Sequence, residues 1–99
     1  MIKIKTNLGD FSIELFANIT PGTVSNFLNY VNSGRYDGVL FHRSVMSFVL
    51  QGGGYIFNES NYRLDSVRTD EPIQNEFNVS NTRGTISMAK LGGNPNSAT

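Results

Sequence analysis

The segment Phe41-His-Arg-Ser-Val-Met-Ser-Phe-Val-Leu-Gln-Gly-Gly-Gly54 places one cation, one aromatic ring and one carboxamide on what reads as a single apolar strand pair. Arg43, Phe48 and Gln51 fall among Phe41, Val45, Val49 and Leu50, with glycines closing the run. An apolar wall carrying a few polar groups is how small-ligand sites are commonly built. An arginine there supplies a permanent charge and a fork of five donors, and it cannot serve as a base. The chemistry this suits is holding and polarising a carbonyl, not attacking it.

Each of these residues also has a plainer reading. An isolated arginine is ordinarily a surface residue in an ion pair, and only the apolar flanks Phe41, Val45 and Phe48 set Arg43 apart. Phe48 by itself is a core phenylalanine. Gln51 is less ordinary, because a buried amide needs partners that a ligand backbone could supply. His42 is the single histidine; with no Ser, Cys or carboxylate at triad or metal spacing, it reads as packed or hydrogen-bonded. Gly52-Gly53-Gly54 lacks the Gly-Lys-Ser/Thr of a phosphate loop and opens no helix, so nucleotide binding is rejected in favour of a close backbone approach. Asp65, Asp70, Glu71 and Glu76 are too irregularly spaced for a calcium loop and read as a solvated face. Nothing here calls for a metal or a cofactor.

The elements that must position these groups follow from hydrophobic patterning. Ile2, Ile4 and Thr6 alternate with Lys3 and Lys5, Asn7-Leu8-Gly9-Asp10 has turn chemistry, and Phe11, Ile13 and Leu15 alternate again. Residues 2–16 are therefore expected to form a β-hairpin. A helix follows, with Thr20 as N-cap, Pro21 at the first helical position and Ile19 placed to staple onto Val24. Its buried face is Val24, Phe27, Leu28 and Val31, and Gly34 ends it. Residues 39–42 and 47–52 are expected strands. From Tyr55 to Arg83 the pattern weakens into a functional or binding loop region, with a short strand anchored by Ile73 and Phe77. Residues 84–89 read as a further strand. One helix among at least five short strands argues for a mainly β domain, a barrel or a sandwich.

The composition bounds the function class. The 99 residues, 38% of them hydrophobic, predict one soluble globular domain spanning 1–99. Lys plus Arg and Asp plus Glu are balanced at eight each, which gives no reason to expect nucleic acid or an anionic membrane as partner. The absence of cysteine removes disulfide and thiolate chemistry. With an N-terminus entering directly into alternating pattern, a cytoplasmic protein is expected. The Asn-x-Ser/Thr triplets at Asn18, Asn58 and Asn78 are read as chance matches.

Taken together, these segments resemble the cyclophilin-type peptidyl-prolyl isomerases, nearest the bacterial short-loop kind, over all 99 residues. Thr6-Asn-Leu-Gly-Asp10 is similar to the family's opening hairpin and Pro21-Gly-Thr-Val-Ser-Asn-Phe-Leu28 to its first helix. Phe41-His-Arg43 followed by Phe48-Val-Leu-Gln-Gly-Gly53 is similar to its central signature, and Gly84–Ala89 and Gly93–Thr99 continue in register. The resemblance implies that Arg43, Phe48 and Gln51 are the catalytic set. Arg43 would be the catalytic arginine, Phe48 would floor the proline pocket and Gln51 would bond the substrate backbone. It implies that His42, Val49, Ala89 and Lys90 line the bound peptide, with Ala89 and Lys90 along a strand edge. The implied fold is an eight-stranded antiparallel barrel capped by two helices, of which this chain would be an incomplete version.

Three departures stand out. Met46-Ser47 occupies the position of the family's Pro-Gly or Asn-Gly turn. Leu91 replaces a smaller residue near the groove. The chain ends at Ser-Ala-Thr99, where the family continues into a Gln-Phe-Phe strand, the second helix and the closing strands. The function implied is cis-trans isomerisation of X-Pro bonds in peptides or unfolded proteins, without a cofactor and with activity impaired by the missing part. The alternatives are a non-catalytic module for Pro-containing peptides and a self-assembling fragment, with self-association expected through open barrel edges.

Overall fold

The structure, a computed structural model, describes residues 1–76 and 80–99. Its elements are β1 (Ile2–Thr6), β2 (Gly9–Ile13), α1 (Pro21–Asn32), β3 (Arg43–Val45), β4 (Val49–Gln51), β5 (Tyr55–Asn58) and β6 (Arg63–Ser66). The strands pair as three separate antiparallel ladders, β1–β2, β3–β4 and β5–β6, so the fold is mainly β with one helix. These sheets are not closed into a barrel. The chain divides into two units, residues 1–27 with 71–99, and residues 28–70.

In the first unit, the expected hairpin forms with Ile2 opposite Ile13 and Thr6 opposite Gly9. Helix α1 starts at Pro21 as its sequence requires, but Thr20 does not cap it with its side chain. Its hydroxyl donates back to the Phe16 carbonyl (3.2 Å). The exposed N–H groups of the first turn are met instead by Glu76, a residue expected on a solvated face. Its carboxylate accepts from the Gly22 N–H (3.1 Å), the Thr23 N–H (2.6 Å) and the Thr23 hydroxyl (2.8 Å). The first turn of α1 contains no acidic residue, so Glu76 also supplies the negative charge that a helix N-terminus favours.

The backbone and hydroxyl bonds from Thr23 hold the Glu76 carboxyl below the usual glutamate range, with the Gly22 N–H adding to the effect. A depressed folded-state value means that this contribution is present above the unfolded-state value (about 4.3) and is lost as pH falls through the folded one. Thermal melts should therefore show the wild type losing stability below about pH 4.3 more steeply than Glu76→Gln. Superimposable pH profiles would remove the cap from the account.

Two further expectations in this unit are corrected. Residues 84–89 pair with no strand among the described residues, and Ile86 is about half exposed (53%). Alternation marks a strand only where a neighbour accepts its backbone hydrogen bonds. Ile73 forms a single bridge to Ala98, with its N–H donating to the Ala98 carbonyl (2.7 Å), rather than anchoring a strand. Phe77, named with it, and the Asn78 triplet lie outside the described residues.

The second unit opens with the end of α1. Gly34 adopts φ +75°, its N–H bonds to the Val31 carbonyl (3.2 Å) and the Arg35 N–H reaches the Tyr30 carbonyl (3.1 Å). This is the paired C-cap that a glycine permits. Tyr30, absent from the expected apolar stripe, is the most buried of the hydrophobic core residues at 2% exposure. The Arg35 guanidinium lies over its ring (4.1 Å) and Tyr36 stacks against it (5.6 Å between centroids). Its hydroxyl accepts the Asp70 N–H (2.7 Å), while the Asp70 carboxylate takes both Arg35 terminal nitrogens at 2.9 Å. Arg35 thereby holds Asp70 below the ordinary aspartate range. Asp70, like Glu76, belongs to a specific network and not to a solvated face.

The region expected to be loop from Tyr55 contains the β5–β6 hairpin. Short-range patterning hid it because only Ile56, Phe57 and Leu64 mark it as apolar. Asn58 and Asn61 order its four-residue loop by accepting the Ser60 and Arg63 N–H groups, both at 3.0 Å. Residues 39–42 are likewise corrected. Val39 makes a single bridge to Ile56, and the ladder begins only at Arg43.

Candidate functional site

Strands β3 and β4 place Arg43 opposite Gln51, Ser44 opposite Leu50 and Val45 opposite Val49. Because side chains alternate across a pleated ladder, Arg43, Val45, Val49 and Gln51 share one face. Leu50, expected beside Arg43, lies on the other face with Ser44. An Arg43 Nη1 donates to Gln51 Oε1 (3.3 Å), and the guanidinium carbon stands 5.8 Å from the centroid of the Phe48 ring. That bond uses one of five guanidinium donors and the Gln51 side-chain oxygen, so the Gln51 amide hydrogens are not engaged by Arg43 and can serve a ligand carbonyl. The structure thus brings Arg43, Phe48 and Gln51 together on one hairpin.

It does not enclose them. Arg43 is exposed and Phe48 is 75% exposed, so the water-poor setting anticipated from the apolar flanks is not what these residues have. A three-rung hairpin with no sheet behind it has too little surface to bury its own side chains. His42 turns its ring edge-on to Tyr55 (4.8 Å between centroids, 81°) but is itself exposed, so it makes one ring contact at the surface and is not packed in a core. Val49 is half-buried within the shared face. Ala89 and Lys90 belong to the first unit, where both are exposed and outside any strand. Among the described residues, no three His, Asp or Glu side chains are grouped to hold a metal ion.

The turn joining the strands is where the departure at Met46-Ser47 shows its effect. The Phe48 N–H closes it onto the Val45 carbonyl (3.0 Å), and Ser47 adopts φ +60°. Positive φ at the third position of such a turn is a glycine preference, and a non-glycine residue is strained there. Ser47→Gly is expected to raise stability by about 0.5–1 kcal/mol, the relief of strain being partly offset by the freer unfolded chain. Urea denaturation checks this, and a destabilised variant would contradict it. Gly52 is fixed for the opposite reason. A Cβ there would stand 2.7 Å from Phe41 Cδ1 and 2.9 Å from the Leu40 carbonyl oxygen, so the expected close backbone approach is present.

The whole chain, residues 1–99, matches the profile of the family "Cyclophilin type peptidyl-prolyl cis-trans isomerase/CLD". The chain belongs to this family. It is 44% identical over its full length to a peptidyl-prolyl cis-trans isomerase of Acinetobacter baylyi, covering 50% of that protein. It is 42% identical, again over its full length, to peptidyl-prolyl cis-trans isomerase B of Escherichia coli, covering 58% of it. Peptidyl-prolyl cis-trans isomerase A of Dickeya dadantii is 37% identical over 90% of the chain and 45% of its own length. The chain therefore spans about half the length of the curated relatives it matches. The resemblance noted from Arg43, Phe48 and Gln51 agrees with this membership. The Arg35–Asp70 and Glu76–Thr23 contacts escaped it, because residues 35 and 53 positions apart leave no periodic signal.

Proposed function

We propose that this cyclophilin-family chain catalyses cis-trans isomerisation of X-Pro bonds, with Arg43, Phe48 and Gln51 as the reacting set and His42, Val49, Ala89 and Lys90 contacting the peptide. The observation that carries this reading is the Arg43–Gln51 rung with the Phe48 ring beside it, in a chain matched along its whole length by the family profile. An X-Pro bond turns over slowly because amide resonance must be broken. In the twisted state the proline nitrogen regains its lone pair and accepts a hydrogen bond. A guanidinium donor is therefore stronger for the twisted amide than for the planar one, and only such a difference accelerates the step. Phe48 grips the proline ring while Gln51 holds the neighbouring backbone, so that rotation is confined to one side of the bond. No covalent bond to substrate forms and no proton is exchanged.

Proton NMR exchange between the cis and trans forms of a short X-Pro peptide tests the proposal. Enhanced exchange in the presence of the chain is the expected result. Peptide shift changes without enhanced exchange would reduce the site to a binding module, and no response would overturn both.

The barrel reading belongs to the same proposal: the three ladders are pieces of an antiparallel barrel. Apart from the β5 edge bridged by Val39, their outer edges meet no strand among the described residues, which supports self-association, since such edges recruit further strands. Sedimentation showing only monomer at high concentration would refute that part.

A further inference from the structure

We infer that Tyr36 is a positioning residue for the Arg43–Gln51 pair, acting through the backbone of Gly52 and Gly53. The inference rests on the isomerase reading above and adds a residue to it. A ladder of three rungs is marginal by itself, and its outermost rung is the one that carries Arg43 and Gln51. The turn end is closed by the Phe48–Val45 bond. What keeps the other end in register must lie just before Arg43 and just after Gln51.

Both sides are held by rings. Before Arg43, the His42 ring rests edge-on against Tyr55, and the Leu40 N–H donates to the Tyr55 carbonyl (2.9 Å). After Gln51, the Gly53 N–H donates to the Leu40 carbonyl (3.2 Å), and Gly53 sits at φ +92°. That conformation is open to glycine and costs it little, so the peptide needs an external wall to stay in one arrangement. The wall is the Tyr36 ring: a Cβ at Gly53 would come within 3.2 Å of its Cε1 and 3.4 Å of its Cδ1.

Tyr36 is itself fixed. It stacks on Tyr30, whose ring is covered by Arg35 and whose hydroxyl takes the Asp70 N–H. A continuous set of contacts thus runs from the Asp70–Arg35 pair through Tyr30 and Tyr36 to Gly53, two residues from Gln51. Tyr36 is half-buried, and its ring, stacked on the buried Tyr30, has little room to move away from Gly53. The Gln51 carboxamide is held at the distance where the Arg43 fork reaches it.

The test uses the isotope-labelled chain, with the Gln51 side-chain amide signals as one readout and X-Pro exchange as the other. Tyr36→Ala is expected to move the Gln51 amide signals toward free-carboxamide values and to lower the exchange rate at saturation about tenfold or more, with a smaller loss of peptide affinity because Gln51 also holds the substrate backbone. Tyr36→Phe, which keeps the ring, should restore both. Leu64→Ala, a control on the β5–β6 hairpin, should leave the Gln51 signals in place. If Tyr36→Ala fails to fold, Tyr36→Leu replaces it, retaining apolar bulk without the flat wall and expected to shift the same signals. Unmoved Gln51 signals in a folded variant, or a Tyr36→Phe chain as altered as the alanine one, would overturn the inference. A wild-type chain without any exchange activity would instead count against the isomerase reading, and the Gln51 signals would still decide the role of Tyr36.

Discussion

Replacing Arg43 with alanine is expected to lower isomerisation of an X-Pro peptide by about ten- to a hundredfold, the value of one charge-assisted hydrogen bond made in the transition state. The loss should fall on the rate at saturation and not on peptide affinity, because the bond is offered to a nitrogen that accepts it only when the amide is twisted. Arg43→Lys should recover little. An ammonium is a compact point charge and cannot donate simultaneously to Gln51 and to the substrate with the geometry of a planar fork. Since guanidinium is permanently charged and no proton moves, the rate should be flat across neutral pH. The exposure of Arg43 sets the upper limit: water competes for its donors, so a loss well above a hundredfold would mean that bound peptide dries the site. Wild-type activity in Arg43→Ala would end the proposed mechanism.

Tyr30→Ala should be the most damaging substitution for stability, by about 3–5 kcal/mol as for other large aromatic truncations. Only Val24, Tyr30 and Ala98 among the described hydrophobic residues are buried, and Tyr30 is the one whose ring is stacked and covered by a cation while its hydroxyl takes a backbone N–H. Its loss leaves a void beneath Arg35 and Tyr36 and an Asp70 N–H without its partner. With total stabilities of order 5–15 kcal/mol for domains in general, such a cost takes a chain of this size close to unfolding. Tyr30→Phe separates the two contributions. It removes only the hydroxyl and should cost about 1 kcal/mol. Urea denaturation followed by circular dichroism measures both, and a Tyr30→Ala chain within 1 kcal/mol of wild type would be incompatible with this packing.

The hairpin that carries the candidate residues Arg43, Phe48 and Gln51, and the helix, were legible in the residues because their signals are local. Pro21 sets the first helical φ, Gly34 supplies the left-handed C-cap, and the intervening apolar spacing repeats every three to four residues. The β1–β2 hairpin has the same short range. Phe41-His-Arg43 and Phe48 to Gly53 could be read together because one turn joins their strands. Tertiary structure alone decided the rest. The N-cap of α1 comes from Glu76 and the anchor of Arg35 from Asp70, contacts for which nothing adjacent in sequence prepares. Alternation at 84–89 promised a strand, yet a strand exists only where another segment completes its hydrogen bonds. Patterning likewise placed Leu50 beside Arg43, whereas the register set by the Val45–Phe48 turn put it on the opposite face. Periodicity encodes what one segment prefers by itself. Capping, pairing and enclosure depend on which distant segment arrives, and that is settled by the three-dimensional arrangement of the chain.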